Sequence, residues 1–292
     1  MSKKLSVGIL IPTYQAAKHL FYCLSPLLKS KLKPKILIID SSSSDGTVDI
    51  AGTMGVRCEV IPASEFNHGA TREKGRKLLN TDIVVMMTQD AYATHPDFLE
   101  RLLEPLISGQ TSISYARQLP HDGASLLASF SREYNYPPIS HVRELRDAPF
   151  YGAYTFFCSN SCAAYLNSAL DSVGGFPTIL FGEDTAAVAK LLHQGHQIAY
   201  VAEARVKHSH DYTLQEEFSR HIKMGIARKS QQQLFEVCGN DSKRGKAFVV
   251  ALLTRLKKQQ PALIPYALAQ SGARLLGYQL GKAIYHVLPH LQ

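Results

Sequence analysis

The sequence predicts an α/β fold, a mainly parallel sheet flanked by helices, with an amphipathic helical extension at the C-terminus. Short apolar, partly β-branched runs recur at 7–11, 35–39, 57–61 and 83–87, and segments of helical period lie between them. Their spacing of about 20 to 30 residues is that of βαβ units joined by crossovers. In the last fifty residues the pattern becomes helical throughout.

The elements follow in order. Run 7–11 ends in the turn Pro12-Thr13-Tyr14, and Leu20, Phe21, Leu24, Leu27 and Leu28 are expected on one face of the helix after it. Run 35–39 closes on Asp40 and a serine-rich turn. There Asp45-Gly46 and Thr47 suit a helix start, with the helix expected over 47–54. After run 57–61, the loop from Phe66 to Arg72 enters a helix over 71–79. Run 83–87 ends in Thr88-Gln89-Asp90, and a helix over 96–107 has Pro96 in its first turn. Beyond residue 110 the reading is a strand at 113–116, a surface excursion at 134–146 and a strand at 153–157. A turn at 173–177, a helix at 183–193, and short strands at 198–201 and 205–207 come next. The tail reads as helices at 246–258 and 262–287, split by Pro261.

At 292 residues the chain is long enough for one large domain or two small ones, and 45% apolar with 19% charged residues is ordinary globular composition. Five cysteines at irregular spacing argue against a disulfide framework and for a reducing, cytoplasmic location. Two lysines near the N-terminus are followed only by a strand-sized apolar run, so no secretory signal is expected, and no run approaches the ~20 apolar residues of a membrane span. Residues 242–292 contain Lys243, Arg244, Lys246, Arg255, Lys257, Lys258, Arg274 and Lys282 and no acid, so the whole net charge of +8 sits in this tail.

Chemistry is expected at strand ends, because an open α/β sheet binds its ligand outside the carboxyl ends of its strands. Asp90 stands at such an end, as a helix cap or as a hard oxygen ligand for a divalent ion on a diphosphate. Asp40 closes the second strand, where a carboxylate can accept from a pyrimidine N3–H or a ribose hydroxyl. Pro12, Thr13 and Tyr14 can lay backbone against the same base, and Arg72 can donate to a base carbonyl or phosphate. Glu183 and Asp184 open a helix, as simple capping or as a general base. One histidine of His208-Ser209-His210 is a candidate third metal ligand. Cys158 and Cys162 are poorly spaced for structural zinc. The chain carries neither G-x-G-x-x-G after a strand nor G-x-x-x-x-G-K-[ST].

In this order and spacing, Ile11-Pro12-Thr13-Tyr14, Ile39-Asp40 with its serine run and Asp45-Gly46-Thr47, Thr88-Gln89-Asp90-Ala91, Gly174-Gly175-Phe176 and Gly182-Glu183-Asp184 resemble family 2 glycosyltransferases of the GT-A, Rossmann-like fold. Further motifs resemble the bacterial rhamnosyltransferase branch. These are Phe66-Asn67-His68-Gly69 with Thr71-Arg72, Arg117-Gln118-Leu119-Pro120, His208 to Tyr212, and Gly277-Tyr278-Gln279-Leu280-Gly281. The resemblance spans residues 5 to about 285.

It implies an inverting transfer of a sugar from a dTDP- or UDP-linked donor, with dTDP-L-rhamnose favoured, to a saccharide or polyprenyl-linked acceptor in surface polysaccharide or O-antigen synthesis. It implies that Asp40, Arg72, Pro12 and Thr13 hold the base, that Gln89 and Asp90 face the donor, and that Asp90 binds Mg²⁺ or Mn²⁺, with His208 as a further ligand. Asp184, beside Glu183, takes the place of the base, and Arg220 meets the leaving diphosphate. Thr88 stands where the wider family has the first Asp of Asp-x-Asp. The implied domains are a glycosyltransferase domain at 1–241, with a nucleotide half at 1–110 and an acceptor half at 111–241, and a basic extension at 242–292. The extension reads either as packing on the catalytic domain or as peripheral docking on the anionic inner face of the plasma membrane. No nucleic-acid partner is expected. The alternatives are a sugar-nucleotide pyrophosphorylase and a non-catalytic basic module binding membrane or nucleic acid.

Overall fold

The computed structural model describes residues 5–179, 181–238 and 242–288. The signal-peptide expectation at the N-terminus, the boundary after residue 241 and the last residues of the extension fall wholly or partly outside them. The elements are β1 (Val7–Thr13), α1 (Ala17–Leu28), β2 (Lys35–Asp40), α2 (Thr47–Thr53), β3 (Arg57–Val60), α3 (His68–Leu79), β4 (Ile83–Met87), β5 (Tyr92–Ala93), α4 (Phe98–Ile107) and β6 (Ile113–Leu119). They continue with α5 (Leu126–Asn135), β7 (His141–Arg143), α6 (Ala148–Tyr151), β8 (Cys162–Leu166), α7 (Asn167–Ser172), α8 (Glu183–His193), β9 (Ile198–Lys207), α9 (Leu214–Ser230), α10 (Ser242–Gln259) and α11 (Ile264–Val287).

The strands form one sheet in the order β3-β2-β1-β4-β8-β6-β9-β5, with β7 also on β9. β3, β2, β1 and β4 are mutually parallel, as are β6 and β9, while β8 runs against both β4 and β6. All five residues of β4 are buried, as its unbroken apolar run requires in a sheet covered on both faces. Leu10, Val84 and Met86 fill one face and Ile9, Ile11, Val85 and Met87 the other, the period of two that a pleated strand imposes.

Several local readings differ from the fold. On α1, Leu20, Leu24 and Leu27 are buried, but Phe21 is 60% exposed and Leu28 47%. At about 100° per residue these two lie together at roughly a right angle to the buried stripe. α3 starts at His68 because the Asn67 side chain accepts from the backbone N–H of Gly69 and Ala70.

Segment 134–146 is no surface excursion throughout. β7 pairs with β9, and Arg143 is fully buried, its Nη2 donating to Tyr115 Oη and to the Phe157 carbonyl at 2.7 Å each, with its guanidinium over the Tyr154 ring. Segment 152–156 is a 3₁₀ turn rather than a strand. The two expected strands near 200 are one, because β9 runs unbroken while its ladder with β6 jumps from Val201 to Arg205 across a bulge.

The tail folds onto the sheet domain. α11 lies along α9 at backbone distance, since a Cβ at Gly225, Gly277 or Gly281 would collide with the carbonyl of Tyr278, Phe218 or Ile222 respectively. Leu252, Leu256 and Ala267 close a small core with Leu127 of α5. Among the described residues no helix is long and apolar enough to cross a membrane.

Candidate functional site

A cavity of about 1030 Å³ opens at the carboxyl ends of β1 and β4. Of the residues singled out in the sequence, Pro12, Thr13, Tyr14, Arg72, Gln89, Asp90, Asp184, His208 and Arg220 line it, and Asp40 and Glu183 do not.

Asp40 lies behind Thr13 rather than on the cavity lining. It is fully buried, and its oxygens accept from Thr13 Oγ1 (2.6 Å), the Ser43 N–H (2.7 Å) and Ser43 Oγ (2.7 Å). A strand-end carboxylate beside a serine-rich turn is satisfied locally, so it ties the floor of the cavity together. Gln89 clamps the adjoining residue of the β1 end, its Oε1 accepting from the Tyr14 N–H (2.8 Å) and its Nε2 donating to the Tyr14 carbonyl (3.0 Å).

The short strand β5 explains how Asp90 gains company. β5 leaves β4 two residues after Asp90 and pairs with the end of β9, Tyr92 opposite Lys207. The chain therefore passes from β9 into His208 beside Asp90, and the His208 N–H extends the ladder to the Leu119 carbonyl (2.8 Å). Asp90 Oδ2 lies 3.6 Å from His208 Nε2 and 3.3 Å from His210 Nε2, and the two imidazole nitrogens are 3.1 Å apart. One ligand atom from each of the three residues falls within 4.8 Å of the others. In extended chain, residues two apart face the same side, which brings His210 in with His208.

The chemistry of this set fits a divalent ion. Burial pushes the His208 imidazole down to about 3 against the pull of Asp90, and burial likewise lowers His210, so both rings are neutral with lone pairs to offer. Burial alone would raise Asp90, but its histidine neighbours and the hydrogen bonding at its carboxyl together hold it low.

Gln118 was missed as a single residue in the sequence and has a defined place here. It is 1% exposed, and its Oε1 lies 2.8 Å from His208 Nδ1 and accepts from Arg132 Nη1 at 2.5 Å. An amide oxygen only accepts, so His208 carries its proton on Nδ1 and leaves Nε2 bare toward Asp90 and His210. Gln118→Met is expected to weaken Mn²⁺ binding by about 10–100-fold, with Gln118→Glu recovering most of it. Mn²⁺ titration followed by electron paramagnetic resonance checks this, and equal affinity in wild type and Gln118→Met would show that the ring needs no such partner.

On the far wall Asp184 begins α8 and faces the cavity. Its Oδ2 accepts from the Asn160 N–H (3.1 Å) and its Oδ1 from the Thr185 N–H (2.7 Å). Burial, and next the charge of Glu183, push its carboxyl up to about 6. Glu183, next to it, is off the cavity lining and turns to Arg72. It is 5% exposed, 3.2 Å from Arg72 Nη1, and accepts from Asn160 Nδ2 at 3.1 Å. Burial alone would raise it, but Arg72 and His68 overcome that and hold it below the usual range. Asn160, unnoticed in the sequence, orients both acids and Tyr165 at once.

Arg220 of α9 lies over the Tyr212 ring at 4.4 Å and the Phe181 ring at 5.4 Å. Cys158 and Cys162 are buried free thiols, and among the described residues Asp90, His208 and His210 form the one group of three metal-ligating side chains.

The chain is similar to known proteins in sequence and in fold. Residues 8–174 match the sequence family described as glycosyl transferase family 2. The chain is 37% identical to the O-antigen chain rhamnosyltransferase WbaN of Salmonella anatum over 284 residues, 95% of this chain and 89% of that protein. It is 36% identical to the O-antigen chain rhamnosyltransferase RfbN of Salmonella typhimurium over 287 residues, 95% of this chain and 90% of that one. In fold it is similar to the mannosyltransferase PcManGT from Pyrobaculum calidifontis, solved with GDP-Man and Mn²⁺, at a TM-score of 0.64 and 14% identity over 98% of this chain and 88% of that one. It is also similar to glucosyl-3-phosphoglycerate synthase from Mycobacterium tuberculosis, solved with Mn²⁺, UDP and glucosyl-3-phosphoglycerate, at 0.56 and 18% over 82% of each chain.

Proposed function

The chain belongs to glycosyl transferase family 2 and is a glycosyltransferase; from that premise we propose that it moves L-rhamnose from dTDP-L-rhamnose, with inversion, to a saccharide or polyprenyl-linked acceptor during O-antigen synthesis. Family membership decides against the pyrophosphorylase and the non-catalytic module. The identity to two rhamnosyltransferases over nearly the whole chain supports the sugar. The observation that carries the chemistry is one cavity holding a proton-accepting carboxylate, Asp184, and a separate Asp90–His208–His210 set.

In this reading Asp184 accepts the proton of an acceptor hydroxyl as its oxygen attacks the anomeric carbon. The bond from that carbon to the diphosphate breaks on the opposite side, and its electron pair leaves with the nucleoside diphosphate beside Arg220. A carboxyl held at about 6 is ionised at neutral pH yet more basic than an ordinary aspartate. Asp90, His208 and His210 would hold a divalent ion, which supplies positive charge to the diphosphate. Two imidazoles beside one carboxylate favour Mn²⁺ over Mg²⁺, since Mg²⁺ prefers oxygen ligands throughout. Pro12, Thr13, Tyr14 and Arg72 line the donor end, so residues 1–110 would carry the nucleotide and residues 111–241 the base and acceptor.

A screen of nucleotide sugars, read as nucleoside diphosphate release with a lipid-linked saccharide acceptor, tests the proposal. Release above background with dTDP-L-rhamnose and with no other donor is expected; strong turnover of UDP- or GDP-sugars alone would overturn the donor assignment.

Residues 242–292 are proposed to rest on an anionic bilayer. Leu268, Leu275, Leu276, Leu280 and Val287 of α11 are exposed, Leu275 to 60% and Leu276 to 66%, while Lys243, Lys246, Lys257 and Lys258 of α10 are exposed cations. Leu275→Glu with Leu276→Glu is expected to cut sedimentation with phosphatidylglycerol vesicles about tenfold or more. Unchanged sedimentation would remove this face from the docking surface.

A further inference from the structure

Glu183 is a buried carboxylate that the transfer step above does not use, and its partner Arg72 is a buried guanidinium with a donor to spare. Arg72 is 3% exposed and lines the donor cavity. Its Nη1 donates to the His68 carbonyl (3.1 Å) and to His68 Nδ1 (3.2 Å) and lies 3.2 Å from Glu183 Oε1. Among the described residues its buried Nε has no hydrogen-bond partner. One arm of the guanidinium is therefore held while another donor is unspent. A buried donor left unpaired costs free energy, and a nucleotide entering the cavity brings oxygens that can accept from it.

The same carboxylate oxygen reaches the proposed base by a short path. Glu183 Oε1 also accepts from Asn160 Nδ2 (3.1 Å), and the Asn160 N–H donates to Asp184 Oδ2 (3.1 Å). Asn160 is 2% exposed and its Oδ1 accepts from Tyr165 Oη (2.8 Å), which fixes the amide between the two acids. Glu183 and Asp184 are consecutive on the first turn of α8 and so point about 100° apart, one to Arg72 and the other to the cavity. The charges that face Asp184 are Glu183 of its own helix and Arg72 of α3. Cys158 and Tyr165 face it as neutral groups, since burial pushes the thiol up to about 12 and the phenol well above its ordinary range.

We propose that Glu183 is a positioning residue that ties the donor pocket to the base: it holds Arg72 for the nucleotide at one end and, with Asn160, sets the orientation and surrounding charge of Asp184 at the other. This rests on the glycosyltransferase reading above, and it adds a residue that touches neither donor nor acceptor.

Two variants separate the charge of this carboxylate from its reach. Each is measured in the full chain for dTDP affinity, by calorimetry with Mn²⁺ present, and for the acid limb of kcat. Glu183→Gln keeps the shape and an oxygen for Asn160 but loses the charge. The acid limb, held at about 6 in the wild type, should move down by about one pH unit because the repelling neighbour has gone. dTDP should bind about fivefold or more weakly, because a neutral amide holds Arg72 less firmly. Glu183→Asp keeps the charge but falls one methylene short of Arg72. Its acid limb should stay where the wild type has it, while dTDP binds as weakly as in Glu183→Gln. A residue that only fills space would lower the melting temperature in both variants and leave limb and affinity unchanged in the folded protein. Either one unmoved in Glu183→Gln therefore overturns the proposal. If Glu183→Gln shows no cooperative melting transition, Glu183→Asp decides: weaker dTDP with the wild-type limb supports the proposal, and wild-type affinity overturns it. A wild-type chain without that acid limb fails the Asp184 reading instead, and dTDP affinity then tests the hold on Arg72 by itself.

Discussion

Asp184→Asn is expected to lower the rate of sugar transfer by about 10²–10⁴-fold while leaving dTDP affinity close to wild type. In the proposed mechanism the carboxylate accepts a proton only in the transition state, so its loss should fall on kcat rather than on donor binding. The pH profile separates this role from a structural one. As the proposed base, Asp184 must be ionised for transfer, and burial with the neighbouring Glu183 holds the carboxyl at about 6. The rate should therefore fall as pH drops through about 6, where an unperturbed aspartate would place the limb near ~4. Stability runs the other way. A carboxyl raised in the folded state contributes stability that is present below its unfolded value and lost as pH rises through about 6. The melting temperature of Asp184→Asn relative to wild type should thus be more favourable at pH 7.5 than at pH 5. Near wild-type transfer by the Asn variant, or an acid limb unmoved from ~4, would remove Asp184 as the base.

Removal of the divalent ion is the second large effect. Exhaustive chelation is expected to reduce transfer about 100-fold or more, with Mn²⁺ restoring it at lower concentration than Mg²⁺. His210→Ala should raise the Mn²⁺ concentration needed by about 10–100-fold and narrow the preference over Mg²⁺, because it removes one of two nitrogen ligands. Mn²⁺ binding measured directly, apart from turnover, shows whether the variant has lost the ion or only the rate. Full activity after chelation would mean that Asp90, His208 and His210 serve the site without a metal.

The first four strands were legible because strand burial writes itself into local composition. β4 matches its apolar run residue for residue, and β1, β2 and β3 differ only at their ends. Helix starts were less legible, since α3 is set by the side chain of Asn67 rather than by periodicity. Segment 134–146 misled for a different reason. Arg143 is charged, and local polarity reads as surface, yet Tyr115, Tyr154 and the Phe157 carbonyl receive its guanidinium inside the protein. The partners of a buried charge come from distant positions, and no window along the chain contains them.

The candidate site divides along the same line. Asp90 and Asp184 stood out because an acid at a strand end or helix start is conspicuous in one dimension. Asp40 stood out equally, but its oxygens are taken by Thr13 and Ser43 and it lies outside the cavity. Gln118 and Asn160 were inconspicuous because neutral amides are common everywhere, and their importance comes only from what they touch.

The sequence by itself determined the first four strands and the helices between them, the acids at the sheet edge, the family and the basic tail, all of which depend on neighbours within a few residues or on recurring motifs. Only the tertiary structure decided that β5 on β9 draws both histidines to Asp90, that Glu183 turns inward to Arg72 while Asp184 faces the cavity, and that α11 seats on α9 through glycines. Those outcomes depend on hydrogen bonds, charges and close packing between residues tens to more than a hundred positions apart. Asp90, without the usual Asp at position 88, finds its partners in the two histidines that follow β9.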